Sequence, residues 1–327
     1  MSLLTNNTYA KVRELASYNI PALSYSHKTL TKARDTGVDL TKEIMQCEKY
    51  RIIFVDPEHL KTKEWRRIAN SDVFRKNLLF ACVEEAHLID QWGAGFRKDF
   101  GFIGHYFRTR FPSKISVFAL TVTLEPGKRT LAVCKSLGFT EGSFQLTRHS
   151  NKRPDMQFIV QPVSSPSSRI EFPELLPFIS SGRKGIIHCY SLDQVHRVLM
   201  YLISAHKGDV NPLRRFRPYF SMCPDDYNER TLFLLDNNPY CQIVIATVAF
   251  TNGINSKHLL NSLSLLPANT LDLILQEKGR GGQSGNTSII EDGVSTAACG
   301  VIFLPKQMIK AAEKALAGKF DLMHAEV

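Results

Sequence analysis

No apolar run in these 327 residues approaches the ~20 that a membrane-spanning helix requires. The opening MSLLTNNTYAKVRELA lacks a basic stretch followed by an apolar core, so it does not read as a secretory signal. Cysteine pairs are missing too. The seven cysteines stand far apart, at Cys47, Cys82, Cys134, Cys189, Cys223, Cys241 and Cys299, with no C-x-x-C among them. That spacing indicates neither a zinc site nor a disulfide framework. Several lie inside apolar strand-like runs, where cysteine behaves as a small buried hydrophobe. The expectation is a reduced, intracellular protein, nuclear if the cell is eukaryotic. No internal repeat is visible.

What is present is an ordinary globular composition, 43% hydrophobic and 22% charged, with a basic bias. Lys and Arg outnumber Asp and Glu by 41 to 31, a formal charge of +10. Such a surplus suits a polyanionic partner, because basic side chains displace counterions from a phosphate backbone. A generally basic soluble surface is the plainer alternative.

Short β-branched runs recur along the chain: RIIFV (51–55), LLFACV (78–83), ISVFALTV (115–122), GIIHCYS (185–191), QIVIATV (242–248) and GVIFL (300–304). They are nearly continuous in hydrophobicity, which predicts strands covered on both faces. Amphipathic helical patterns fall between them: DVFRK, GKRTLAVCKSLG, LDQVHRVLMYLISAHKG and PKQMIKAAEKALAG. The alternation predicts parallel sheets flanked by helices, hence an α/β fold. The length favours two domains. A boundary is expected within 147–170, where TRHSNKRPDMQFIVQPVSSPSS (147–168) begins basic and ends in a Pro/Ser cluster. This gives domains over 1–147 and 148–327, with MQFIVQPV as the second domain's first strand.

Chemistry concentrates in NLLFACVEEAHLIDQWGAGFRKDF (77–100), where an apolar strand runs into Glu84, Glu85, Ala86 and His87. A carboxylate at a strand's carboxyl end can hold magnesium, usually through water. A second beside it can orient and deprotonate a water attacking a γ-phosphate. Four residues alone read more simply as an exposed acidic loop after a strand. The residues downstream of them decide between the two. EEAHLIDQWGAGFRKDF closely resembles the RecQ helicase family, whose D-E-A-H box runs into an aromatic-rich loop, Q-W-G-x-x-F-R-x-x-Y. Gln91, Trp92, Gly93, Phe96, Arg97 and Phe100 stand at the family's spacing. Aromatic and guanidinium faces offer sequence-tolerant platforms for single-stranded bases.

Further stretches match in the family's order. IIFVDPEHL (52–60) resembles motif Ib, which implies a backbone contact to nucleic acid around Pro57. FALTVTLEPG (118–127) resembles motif III, with Thr121 and Thr123 at its Thr-x-Thr positions linking nucleotide to DNA. GIIHCYSLDQV (185–195) resembles motif IV and puts Ser191 on the nucleic-acid side. IVIATVAFTNGIN (243–255) resembles motif V, where Thr247 would reach a phosphate and Gly253 and Asn255 would approach ATP. QEKGRGGQSG (276–285) resembles motif VI and implies roles for Gln276 and Arg280 in binding and hydrolysing ATP. The resemblance therefore implies two RecA-like domains of the P-loop NTPase type. ATP and Mg2+ would lie in the cleft between them, the metal held by Glu84 through water. Glu84, Glu85, His87, Gln276 and Arg280 would be the catalytic set, with single-stranded or partly duplex DNA as partner and 3′-to-5′ unwinding as the activity.

Against that pattern stand several departures. The family's Gly-Lys-Ser/Thr phosphate loop should precede these motifs, yet residues 10–35 already resemble the segment after motif Ia. The first domain is thus expected to be truncated at its N-terminus, to expose an apolar sheet edge, and to bind ATP weakly or not at all. TLEPGKRT, the nearest approach to such a loop, has Val122 in place of its first glycine and Arg129 in place of Ser/Thr. Glu84 replaces the family's aspartate. Gln283 stands at motif VI's second arginine. An arginine that stabilises transition-state charge in this way is worth ~10³–10⁵ in rate. The family's zinc-binding and winged-helix modules find no match after residue 305, and no zinc is expected. Three functions remain open: a degenerate nucleic-acid-binding fragment with little ATPase activity, an active helicase whose loop lies outside these residues, and a non-enzymatic scaffold or gene relic.

Overall fold

A computed structural model describes residues 2–3, 8–92, 99–112, 115–163, 170–208, 211–247, 256, 258–282, 289–291 and 294–314. The chain divides into two compact units, Met1–Asn151 and Lys152–Val327.

Among the described residues the first unit carries five strands: β1 (Ser2–Leu3), β2 (Ala22–Tyr25), β3 (Ile52–Val55), β4 (Phe80–Val83) and β5 (Ser116–Ala119). Its helices are α1 (Thr8–Ser17), α2 (His27–Asp35), α3 (Leu40–Gln46), α4 (Lys63–Asn70), α5 (Asp72–Asn77), α6 (Leu88–Trp92), α7 (Asp99–Arg110) and α8 (Lys128–Leu137). The strands form one sheet in the order β2-β3-β1-β4-β5, and every pair is parallel. Parallel strands need apolar cover on both faces. Ile53, Val55, Ala81 and Val83 accordingly sink into a core with Tyr25, Trp65, Phe100 and Tyr106. Strand β5 is one of the sheet's two edge strands, and there the cover thins: Phe118 is 49% exposed, and Leu120, just after the strand, is 55% exposed.

Local signals set the helix ends. Thr62 caps α4 by accepting from the Trp65 N–H, which aims Trp65, Ile68 and Ala69 inward. Gly138 closes α8 at φ 83°, a left-handed conformation that glycine adopts without steric cost.

In the second unit the strands are β6 (Met156–Val163), β7 (Gly185–His188), β8 (Phe216–Tyr219), β9 (Ile243–Ala246), β10 (Asn261–Ser264), β11 (Ile289–Glu291), β12 (Val294–Thr296) and β13 (Ala298–Pro305). Its helices are α9 (Leu176–Ser180), α10 (Leu192–Ala205), α11 (Pro212–Arg215), α12 (Asp225–Asn237) and α13 (Leu271–Lys278), with a further helical turn set over 306–314. Six strands make a wholly parallel sheet, β6-β13-β10-β7-β9-β8. Strands β11 and β12 pair antiparallel in a separate hairpin. Strand β9, Ile-Val-Ile-Ala, is buried throughout, as its unbroken apolar run requires. Strand β10 is equally buried yet reads Asn-Ser-Leu-Ser. A polar strand at the centre of a sheet needs internal partners, and these turn out to be charged.

Candidate nucleotide and nucleic-acid site

In the first unit, the carboxyl ends of β4 and β5 are tied together just where the acidic loop begins. The Leu120 N–H donates to the Val83 carbonyl at 2.8 Å, and the Ala86 N–H donates to the Leu120 carbonyl at 3.0 Å. Between these bonds Glu85 takes φ 51°, a left-handed conformation that costs a non-glycine residue about 1–2 kcal/mol. Strain of that kind persists only where the surroundings fix it. Here the fixing group is His87, 1% exposed, whose Nδ1 lies 3.0 Å from Thr121 Oγ1 and 3.4 Å from Glu85 Oε2. A single imidazole thus joins the acidic loop to the Thr-x-Thr loop after β5, where Thr123 is buried. Ligands of open α/β sheets bind at such carboxyl ends.

Glu84 faces another way. Its carboxylate forms an ion pair with Lys11 from α1, both side chains partly exposed. An ammonium therefore sits on the carboxylate that the sequence assigned to magnesium. Among the described residues, no cluster of three or more His, Cys, Asp or Glu side chains is arranged to hold a metal ion. The donor set fits a cation poorly while Lys11 stays in place, since like charges compete for one carboxylate.

Gln91 and Trp92 lie at the end of α6, which Asp90 anchors to the start of α8 through Arg129 Nε at 3.1 Å. Phe96 and Arg97 lie outside the described residues, as do Gly253, Asn255 and Gln283. Pro57 is buried at the first position of a short 3-10 turn, Pro57–Lys61, where its fixed φ shapes the loop from inside.

The second unit gathers the motif IV and VI residues around β10. Ser191 caps α10, accepting from the Gln194 N–H at 3.1 Å, and remains exposed. Thr247 follows β9, its N–H donating to the Tyr219 carbonyl at 3.3 Å. Gln276 and Arg280 are half-buried at the end of α13 and bracket two fully buried ions, Glu277 and Lys278. Lys278 Nζ donates to the Ser262 carbonyl at 3.1 Å, Ser264 Oγ at 2.7 Å and the Val301 carbonyl at 2.8 Å. Ser264 Oγ donates its own proton to Glu277 Oε2 at 2.5 Å, and the Tyr190 hydroxyl lies 3.0 Å from Glu277 Oε1. Ser262 Oγ donates to the Glu277 carbonyl at 2.8 Å, so at 3.0 Å it accepts a proton from His188 Nε2.

Burial sets the electrostatics here. Desolvation lowers Lys278 to about 7 against the opposing pull of Glu277, and it raises the Glu277 carboxyl against its hydrogen bond from Ser264. It also drops His188 well below the usual imidazole range, helped by the Lys278 and Arg280 charges. The network fastens the loop carrying Ser191 to the helix carrying Gln276 and Arg280. Sequence reasoning named the ends of this network and missed its middle. The signal was there in Asn-Ser-Leu-Ser, a polar tetrapeptide at the spacing of a strand, and in the paired charges of Gln-Glu-Lys.

No family model matches the chain. Curated relatives do. Rat ATP-dependent DNA helicase Q1 is 29% identical over 289 residues, covering 80% of this chain and 43% of that protein. The RecQ-like DNA helicase BLM of Xenopus laevis is 24% identical, covering 85% of this chain and 19% of its own length. ATP-dependent DNA helicase RecQ of Haemophilus influenzae is 26% identical over 241 residues, 71% of this chain and 34% of that one. The chain thus spans less than half the length of these relatives. Among solved structures, helicase MrfA bound to DNA and AMPPNP superposes with a TM-score of 0.60 at 13% identity, covering 94% of this chain and 46% of that one. Mycobacterium smegmatis helicase Lhr bound to ssDNA and AMP-PNP gives a TM-score of 0.60 at 16% identity, over 88% of this chain and 40% of its own. With the parallel sheets described above, these likenesses give the α/β RecA-like helicase fold.

Proposed function

This chain carries a RecQ-like helicase core, and from that premise we propose that it binds single-stranded or partly duplex DNA and turns over ATP little or not at all. The observation that carries the reading is the split fate of the two adjacent carboxylates. Glu85 is held on His87 and thereby on Thr121, the side of the loop that answers to nucleic acid in the resemblance. Glu84 is spent on Lys11.

Two further features support weak turnover. No Gly-Lys-Ser/Thr sequence occurs in these 327 residues, so no loop here combines backbone donors, an ammonium and a hydroxyl for the β- and γ-phosphates. Gln283 can hydrogen-bond but brings no positive charge to a transferring phosphoryl group. Where Mg2+–ATP does bind, the metal would supply charge neutralisation at the phosphates. This chain's share would be Gln276 and Arg280 on the nucleotide and Glu85 accepting a proton from water, with His87 holding Glu85 in place. The 3′-to-5′ unwinding of the family is not expected from these residues alone.

The test is ATP turnover by the purified chain with and without a single-stranded oligonucleotide, beside Glu85→Gln. The expected outcome is oligonucleotide binding with no DNA-stimulated turnover above that of Glu85→Gln. Stimulated turnover that vanishes in Glu85→Gln would instead assign an active helicase motor.

A further inference from the structure

Ser191 and Thr247, candidate nucleic-acid contacts of the second unit, follow the carboxyl ends of β7 and β9. A cavity of about 460 Å³ opens at the other end, where β7, β8 and β9 begin. Among the described residues it is lined by Gly182, Asn211, Arg214, Arg215, Tyr240 and Gln242, two of them arginines. Tyr240 is 69% exposed, yet its ring is not idle: the Arg214 guanidinium lies over it at 5.6 Å from the centroid. Arg215 lies across the Phe216 ring at 5.2 Å.

The floor is built. Gln242, buried, accepts from Arg215 Nε at 2.7 Å, while its own amide donates to the Ile179 carbonyl at 2.6 Å and the Arg183 carbonyl at 3.3 Å. That fixes which amide atom is oxygen, and so fixes the plane of the Arg215 guanidinium. A surface arginine has many rotamers to lose on binding. One locked by a buried glutamine has already lost them, which is the preorganisation that makes a contact efficient. The neighbouring Arg183 and Lys184 add positive charge to the same end of the sheet.

An exposed aromatic face beside two guanidinium groups matches one ligand class. Bases stack on aromatic rings and on arginine planes, and phosphates take arginine forks. The size agrees, since ligand cavities of this order hold a nucleotide-sized group. We propose that this cavity takes one nucleotide unit, its base on Tyr240 and its phosphate between Arg214 and Arg215, as a contact separate from the strand-end site. An acidic peptide would satisfy the arginines but leave the Tyr240 face unused. The unit belongs either to a single strand or to a free nucleotide.

Both sources are tested on the full chain. An oligo(dT) carrying 5-iodouracil is photocrosslinked and the adducts are mapped by mass spectrometry, and dTMP is titrated separately against Tyr240 fluorescence. The variants are Tyr240→Ala and Arg214→Glu, both at exposed positions, with circular dichroism to check folding. A strand contact gives adducts on the peptide bearing Tyr240, and Tyr240→Ala weakens oligonucleotide binding by about five-fold or more. Arg214→Ala then lowers the salt dependence by roughly one phosphate contact. Saturable dTMP binding that Arg214→Glu abolishes, without oligonucleotide adducts, supports the site with a free nucleotide as its ligand. Adducts confined to peptides from 84–92 or around Ser191, with unchanged affinity in both variants and no dTMP binding, overturn this proposal and leave the DNA-binding function intact. Absence of any nucleic-acid or nucleotide binding by the parent chain overturns both.

Discussion

Lys278 is an ammonium with nowhere to go. It stands at 0% exposure, donates to three acceptors on β10 and β13, and has one carboxyl neighbour, itself pushed toward neutrality. The consequence is a pH dependence of definite sign. Its folded pKa of about 7 lies below its ordinary 10.5, so between those values the unfolded chain binds more protons than the folded one. Unfolding free energy therefore rises with pH across that window, and the gain is lost as pH falls through 7. Removal of Lys278 also leaves Glu277 without the charge that opposes its own upward shift, which acts in the same direction. Compared with Lys278→Met in denaturant titrations from pH 7 to 8.5, the parent should gain relative stability, with a slope of up to about 1.4 kcal/mol per pH unit from the lysine alone. A difference that stays flat over that range would mean Lys278 remains fully protonated in the fold. Tyrosines and cysteines are common to both proteins, so their contributions cancel in the comparison.

At the scale of elements, one glycine lets α7 and α8 touch. A Cβ at Gly104 would come within 1.8 Å of the Ser136 carbonyl oxygen and 2.8 Å of the Leu137 Cα. Both are backbone atoms of α8 and cannot rotate aside. Gly104→Ala should therefore push the helices apart and destabilise the first unit by about 1–3 kcal/mol or more, although alanine is the better helix former. A thermal melt at or above the parent value would show that α7 can slide without loss. Nothing in the sequence flagged Gly104, because a glycine inside a helical pattern looks like a weakness until its neighbour is known. The apolar strands were legible for the opposite reason. Ile52–Val55, Gly185–His188 and Ile243–Ala246 sit where unbroken β-branched runs placed them, since a parallel strand buried on both faces has little freedom in composition. Strand β10 escaped because its burial rests on a hydrogen-bonded polar network rather than on hydrophobicity. Ala22–Tyr25 and Phe216–Tyr219 escaped because ALSY and FRPY contain no unbroken β-branched run. At the candidate site, the acidic box and the Thr-x-Thr loop were legible from their motif. Lys11 was not, since an ion pair 73 residues apart in sequence leaves no local trace.

For the molecule as a whole, a surplus of ten positive charges over 327 residues is a long-range field rather than a site. Local motifs decide where a strand lies, and the field decides how much of the affinity survives salt. If the chain holds DNA through phosphates, binding releases condensed counterions, and the logarithm of affinity falls by about 0.7 per phosphate contact on a single strand for each decade of salt. Three such contacts would weaken binding about 20-fold between 50 and 200 mM salt. We expect a loss of at least that order for an oligonucleotide, measured by fluorescence anisotropy over that range. A scaffold that met DNA only through apolar or hydrogen-bonding contacts would show almost none. The +10 charge cannot produce the effect as a diffuse background alone, because exposed charges more than about 8–10 Å from the strand are screened at these salt concentrations. A steep slope would therefore count arginines and lysines lying against the backbone. Its magnitude, compared before and after Arg214→Ala, would apportion them between the two ends of the second sheet.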